Sequence, residues 1–255
     1  MVIHYLRFLL CASQQRTKSV YRRELPRIYE LRDLLPNPLP PEAYFQNLDR
    51  SLGEIPQKLR QFRDWERELE GLDRRAWSFL KGELAPLLTT RDPRRGWQPL
   101  FDKLNQARAY NHLKRAGYVH IEFVPVSIAS NQQTPDLQAT SGAGRVLCEV
   151  KTINVSEIEA ERRAASGVGT TTDQLDAGFF RKLSSDVAVA TAQMAAYDAS
   201  PSAKRIIYFV INFDDRLHEY VDRYRDQIVR YVAANRSPDV EITLDIKPAF
   251  YSAMV

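Results

Sequence analysis

Residues 205–213 read "RIIYFVINF", an unbroken apolar and β-branched run with no solvent face. A strand covered on one side alternates apolar and polar residues, whereas one covered on both sides does not. The run is therefore expected to be the central strand of a sheet with helices on both faces. Helix-period stretches flank it, with "AGFFRKLSSDVAVATAQMAAYDA" before and "RLHEYVDRYRDQIVRYVAAN" after. Helices alternating with strands in this way place the chain in the α/β class, with a mixed central sheet flanked by helices.

The rest of that half reads in the same terms. "QPLFDKLNQARAYNHLKRAGY" is a helix with Gly117 as its C-terminal stop. "VHIEFVPVSI" is strand-like. "TPDLQAT" and "RVLCEVKTI" are short strands joined by the hairpin signal "SGAG", and "VEITLDI" is a last strand. The expected order is helix, three strands, helix, strand, helix, strand.

Two proline-rich breaks, residues 34–43 and 89–99, cannot be helix interior, because proline lacks the donor and clashes with the preceding turn. Between them, Leu59, Phe62, Leu69, Leu72, Trp77, Leu80, Leu84 and Leu87 recur at the spacing of amphipathic helices. Residues 1–95 are read as a helical, basic accessory region and residues 96–255 as the α/β domain. Residues 1–100 hold 18 Lys and Arg against 13 Asp and Glu, and the remainder holds 18 against 19. The excess lies in clusters such as Arg74-Arg75 and Arg94-Arg95. A basic surface attracts phosphate backbones, although a solvated helix face is the plainer explanation of any one pair.

Several function classes are excluded. Cys11 and Cys148 form no disulfide framework and no zinc spacing, and the four histidines form no ligand cluster, which argues for a reducing cytoplasm and against histidine-based zinc hydrolysis. The opening segment "MVIHYLRFLLCASQQ" is too short and broken for a membrane span and lacks a cleavage signal, so no membrane role is expected.

Glu149 and Lys151 are the anomaly. They lie two apart in an apolar strand, so both project from one face, with Val150 on the other. If the "SGAG" hairpin pairs strands two and three, Asp136 reaches the same face. Charges in a sheet core are paired or hold a metal. Two carboxylates, with the Val150 carbonyl, suit Mg²⁺ or Mn²⁺. Lys151 is placed to hold or deprotonate water, or to neutralise a phosphate. A Glu–Lys pair on a surface hairpin is the plain alternative.

The "PD" at 135–136 followed by "EVK" at 149–151 resembles the PD-(D/E)xK nuclease superfamily. Its core order of helix, three strands, helix and strand is similar to the one read above, over residues 98–215. "AQMAAY" supplies Gln193 and Tyr197, four apart on one helical face. This is similar to the Q-x-x-x-Y of the RecB-like and lambda-exonuclease-like branches; a core aromatic is the alternative for Tyr197. Thr152, in "EVKT", adds to that likeness. The family's first-helix pattern E-x-x-A-x-x-x-L-x-x-x-G-Y has Gln106 in its acidic place, followed by Ala109, Leu113, Gly117 and Tyr118. A second metal site thus lacks its carboxylate. His112 lies on that helix and reads as solvent-facing, and Glu122 is a further acidic candidate.

The resemblance implies a restriction-endonuclease-like core that hydrolyses phosphodiester bonds, in DNA first of all. Asp136 and Glu149 would bind Mg²⁺ or Mn²⁺, Lys151 would serve the water or the phosphate, and Gln193 and Tyr197 would support them. Arg94, Arg95, Arg162 and Arg163 are the expected nucleic-acid contacts, the last two in an insertion, residues 156–172, suited to close over substrate. A non-catalytic member that binds nucleic acid or organises a complex is the alternative. A homodimer, and protein partners through residues 1–95, are further expectations.

Overall fold

The computed structural model of the chain describes residues 20–125, 134–154, 173–213, 217–235 and 237–247. The chain divides into two compact units, residues 1–107 and 108–255.

The first unit is helical. Its described helices are α1 (Pro26–Arg32), α2 (Leu48–Glu54), α3 (Pro56–Glu70) and α4 (Arg74–Leu84). Prolines open α1 and α3, where the missing donor costs nothing. Asp73 caps α4 by accepting from the N–H of Ala76 at 2.8 Å. Phe62, Leu69, Leu72, Trp77, Leu80 and Leu84 are buried as the periodicity requires. Leu87 is half-buried and Leu88 takes its place in the core, because a 3₁₀ turn over Ala85–Leu88 shifts the phase of the last turn.

The division falls inside helix α5 (Gln98–Arg115) rather than in the proline-rich break before it. Trp97 and Phe101 lie 5.1 and 5.8 Å, ring centre to ring centre, from Tyr44, and Phe101 lies 5.5 Å from Trp65. These aromatics bind the start of α5 to the helical unit. Its other end closes as a Schellman turn: Gly117 adopts φ +84°, and the Tyr118 N–H donates to the Leu113 carbonyl at 3.1 Å.

The second unit carries one five-stranded mixed sheet. Strands β1 (Val119–Phe123), β2 (Leu137–Ser141) and β3 (Gly144–Asn154) pair antiparallel in sequence order. Then β4 (Lys204–Asn212) and β5 (Glu241–Ile246) continue the sheet in parallel, after crossovers through α6 (Ala177–Tyr197) and α7 (Val221–Ala234). In β4, Ile206 through Ile211 are all buried, as a doubly covered strand demands.

The two sheet faces differ. Leu147, Ile153, Ile207, Phe209 and Ile211 pack with Leu183, Ala190 and Met194 of α6 and with Tyr224 and Ile228 of α7. Each such side chain removed from water contributes about 1.5–3 kcal/mol. The opposite face meets α5. There Arg108 binds Asp245 with two nitrogens, at 2.6 and 3.1 Å, and the Tyr208 hydroxyl donates to the same carboxylate at 2.7 Å. His112 is half-buried on this face, its ring 5.2 Å from that of Tyr208 and its Nε2 3.5 Å from the Thr243 hydroxyl, rather than turned to solvent. No helix among the described residues is long and apolar enough to cross a membrane.

Candidate functional site

The β2–β3 hairpin sets the site. A two-residue loop joins Ser141 to Gly144, whose φ of +128° excludes most side chains. The register pairs Leu137 with Cys148, so Asp136 stands one position beyond, level with Glu149. There the backbone ladder between the two strands ends. The Asp136 carboxylate takes over by accepting from the Val150 N–H at 2.8 Å. Val150, expected to offer a carbonyl, thus meets Asp136 through its amide.

Strand alternation puts Arg145, Leu147, Glu149 and Lys151 on the face that packs against α6. Glu149 is 5% exposed. Its Oε1 accepts from Lys151 Nζ at 2.8 Å, and its Oε2 accepts from Gln193 Nε2 at 3.0 Å. Gln193 also donates to the Thr134 carbonyl at 2.6 Å, which ties α6 to the segment entering β2. Burial and the nearby Asp136 charge push the Glu149 carboxyl up to about 7, although the Lys151 ammonium pulls it down.

Tyr197 lies one helical turn beyond Gln193. The Arg145 guanidinium sits over its ring at 5.1 Å and donates to its hydroxyl at 3.3 Å. Arg145 also binds Asp198 at 3.1 Å and Gln138 at 2.6 Å, and Gln138 in turn donates to Glu122 at 3.3 Å. Tyr197 and Glu122 are candidates from the sequence; Arg145, Gln138 and Asp198 are not singled out there, yet Arg145 shares the alternation phase of Glu149, which is the available signal. Tyr197 also borders the apolar core under α6, so the support and core readings both describe part of its surroundings.

The structure thus brings Asp136, Glu149, Val150, Lys151 and Gln193 into direct contact, with Tyr197 one turn away. Arg94 and Arg95 lie in the other unit, on a hairpin closed by two backbone bonds between Asp92 and Gly96. Both of their amides donate to Asp92 Oδ1, and the Arg95 side chain pairs with Asp102 at 2.8 Å. Arg162 and Arg163, with the insertion that carries them, lie outside the described residues.

The donor set fits a hard cation. Mg²⁺ is commonly held by one or two carboxylates and completes its shell with water. Asp136 and Glu149 supply oxygen donors from adjacent strands, and the cost of an ionised buried Glu149 beside Asp136 falls when a cation is near. Among the described residues, no group of three or more His, Cys, Asp and Glu side chains gathers in metal-binding fashion. The chain matches no family model, no curated protein and no solved structure.

Proposed function

We propose that the chain hydrolyses phosphodiester bonds in nucleic acid, DNA first, as a metal-dependent nuclease with a restriction-endonuclease-like core. The observation that supports this reading is the buried Glu149 carboxylate, level with Asp136 and bonded to both Lys151 and Gln193. A purely structural ion pair would not need a second carboxylate at its side. Asp136, Glu149 and the Val150 carbonyl would hold Mg²⁺ or Mn²⁺, which when bound activates water and neutralises charge at phosphorus. Lys151 orients the attacking water or meets the non-bridging phosphate oxygen. Gln193 fixes the rotamer of Glu149, and Arg145 and Tyr197 fix the end of α6 that carries Gln193. Arg94 and Arg95 contribute phosphate contacts.

A second reading is a non-catalytic member that binds nucleic acid. It is favoured by the small donor set, two carboxylates with no third side-chain ligand among the described residues. Cleavage of supercoiled, linear and single-stranded DNA with and without Mn²⁺ separates the two. The nuclease reading expects cation-dependent cutting that falls at least about a hundredfold in Lys151→Ala while DNA affinity measured without the cation holds. Salt-dependent binding with no cutting in any cation favours the second reading.

A further inference from the structure

We infer that Lys151 stands in for the cation's charge when the cation is absent, and that cation binding releases its ammonium toward an anionic substrate. The inference rests on the cation site proposed above. Both oxygens of Glu149 are already taken, Oε1 by Lys151 and Oε2 by Gln193. The two donors are held differently. Gln193 is fixed between two acceptors, Glu149 and the Thr134 carbonyl, so its departure would strand a second group.

Lys151 bonds to a residue two positions away on its own strand, and its side chain is 21% exposed, against 6% for Glu149. A four-carbon stem that reaches solvent can swing out without moving the backbone. A divalent cation at Oε1 would compete with the ammonium for that oxygen and would repel it. The two therefore exclude each other, and by linkage each weakens the other's hold on Glu149 to the same degree. The freed ammonium is then available beside Glu149 to meet an anion. Cation and anionic substrate should consequently bind with positive coupling, carried by Lys151.

This has an unusual consequence. A lysine that merely orients Glu149 for the metal would weaken metal binding when removed. A lysine that occupies the metal's place would strengthen it. The test is Mn²⁺ affinity, read from the paramagnetic resonance of the free ion, with and without a phosphorothioate duplex that resists cleavage. Lys151→Met should bind Mn²⁺ about tenfold tighter than the parent, while Lys151→Arg, which keeps the charge, should stay near the parent. In Lys151→Met the duplex should no longer be gripped more tightly when Mn²⁺ is added than its charge alone explains.

On the parent protein, Mn²⁺ should raise the acetylation rate of Lys151 several-fold by mass spectrometry, which decides the matter if the Met variant does not fold. Equal or weaker Mn²⁺ binding by a folded Lys151→Met, or acetylation unchanged by Mn²⁺ that demonstrably binds, overturns the inference and leaves the cation site standing. A parent that binds no Mn²⁺ in either condition overturns the metal-dependent reading and the inference with it.

Discussion

Gln193 and Glu149 are 44 residues apart in sequence and meet at 3.0 Å, the amide of one donating to Oε2 of the other. The contact joins α6 to β3 where that face of the sheet carries charge rather than apolar packing. It follows from two independent periodicities. The helix returns Gln193 and Tyr197 to one face every fourth residue, and the strand returns Arg145, Glu149 and Lys151 to one face every second. Antiparallel packing of helix on strand then matches Gln193 to Glu149 and Tyr197 to Arg145.

Replacing Gln193 by Ala would leave a buried carboxylate oxygen and the Thr134 carbonyl each short of a donor. The expected loss of stability is about 1–3 kcal/mol, the range for an orphaned buried polar group. Urea unfolding measures it. A cycle with Glu149→Gln should show coupling of at least about 0.5 kcal/mol. Additive effects would mean that the bond contributes nothing to the folded state.

The arginine hairpin is better split than treated as a pair. Both arginines are exposed, but the Arg95 side chain is already engaged with Asp102. Arg94→Ala should therefore weaken DNA binding more than Arg95→Ala does. It should reduce the slope of log affinity against log salt by about 0.9, the value for one phosphate contact. Fluorescence anisotropy over a salt series checks both variants; an unchanged slope in Arg94→Ala removes the hairpin from the interface.

On the other sheet face, Asp245 is half-buried, which raises its carboxyl, but Arg108 and the Tyr208 hydroxyl outweigh this and hold it below the usual range. A folded value below the unfolded one means that the group stabilises above the unfolded value, about 3.9, and that this contribution is lost as pH falls further. Arg108→Leu leaves this half-buried carboxylate without its cation, at an expected cost of about 1–3 kcal/mol at neutral pH. Unfolding at pH 7 and pH 3 should show that penalty shrink on acidification. A penalty equal at both values would assign it to lost packing alone.

Much of this architecture is legible from patterning. The central strand follows from the missing polar phase in residues 205–213, and the end of α5 from Gly117. Glu149 and Lys151 share a face by alternation alone. What escapes is whatever depends on partners distant in sequence. Periodicity cannot say that Gln193 meets Glu149 rather than Lys151, or that Asp136 completes a ladder by binding the Val150 amide. Nor can it say that Arg145 reaches Tyr197 and Asp198 at the far end of α6. Leu88 replaced Leu87 because a single 3₁₀ turn rotates the face, and local propensity hardly distinguishes that turn from a continued helix.

Glu66 offers a test on the opposite side of neutrality. It is buried on α3, and its two oxygens accept from the Arg27 and Ile28 amides at 2.8 and 2.9 Å, which caps the start of α1. Burial pushes its carboxyl up to about 7. The two amides pull it down without prevailing, and the charge of Glu70 adds to the rise. The folded value thus lies above the unfolded one, about 4.3. Between these values the folded chain binds more protons than the unfolded chain, so unfolding free energy falls as pH rises. The contribution is complete below about 4.3 and is lost as pH passes through 7. Glu66→Gln cannot titrate, so its stability should decline less between pH 5 and pH 8 than the parent's. The slope shrinks rather than vanishes, because Glu149 is shifted in the same direction. Urea midpoints at half-unit pH steps measure this. If the two profiles run parallel, Glu66 is ionised in the folded protein throughout, and the amides at the start of α1 outweigh its burial.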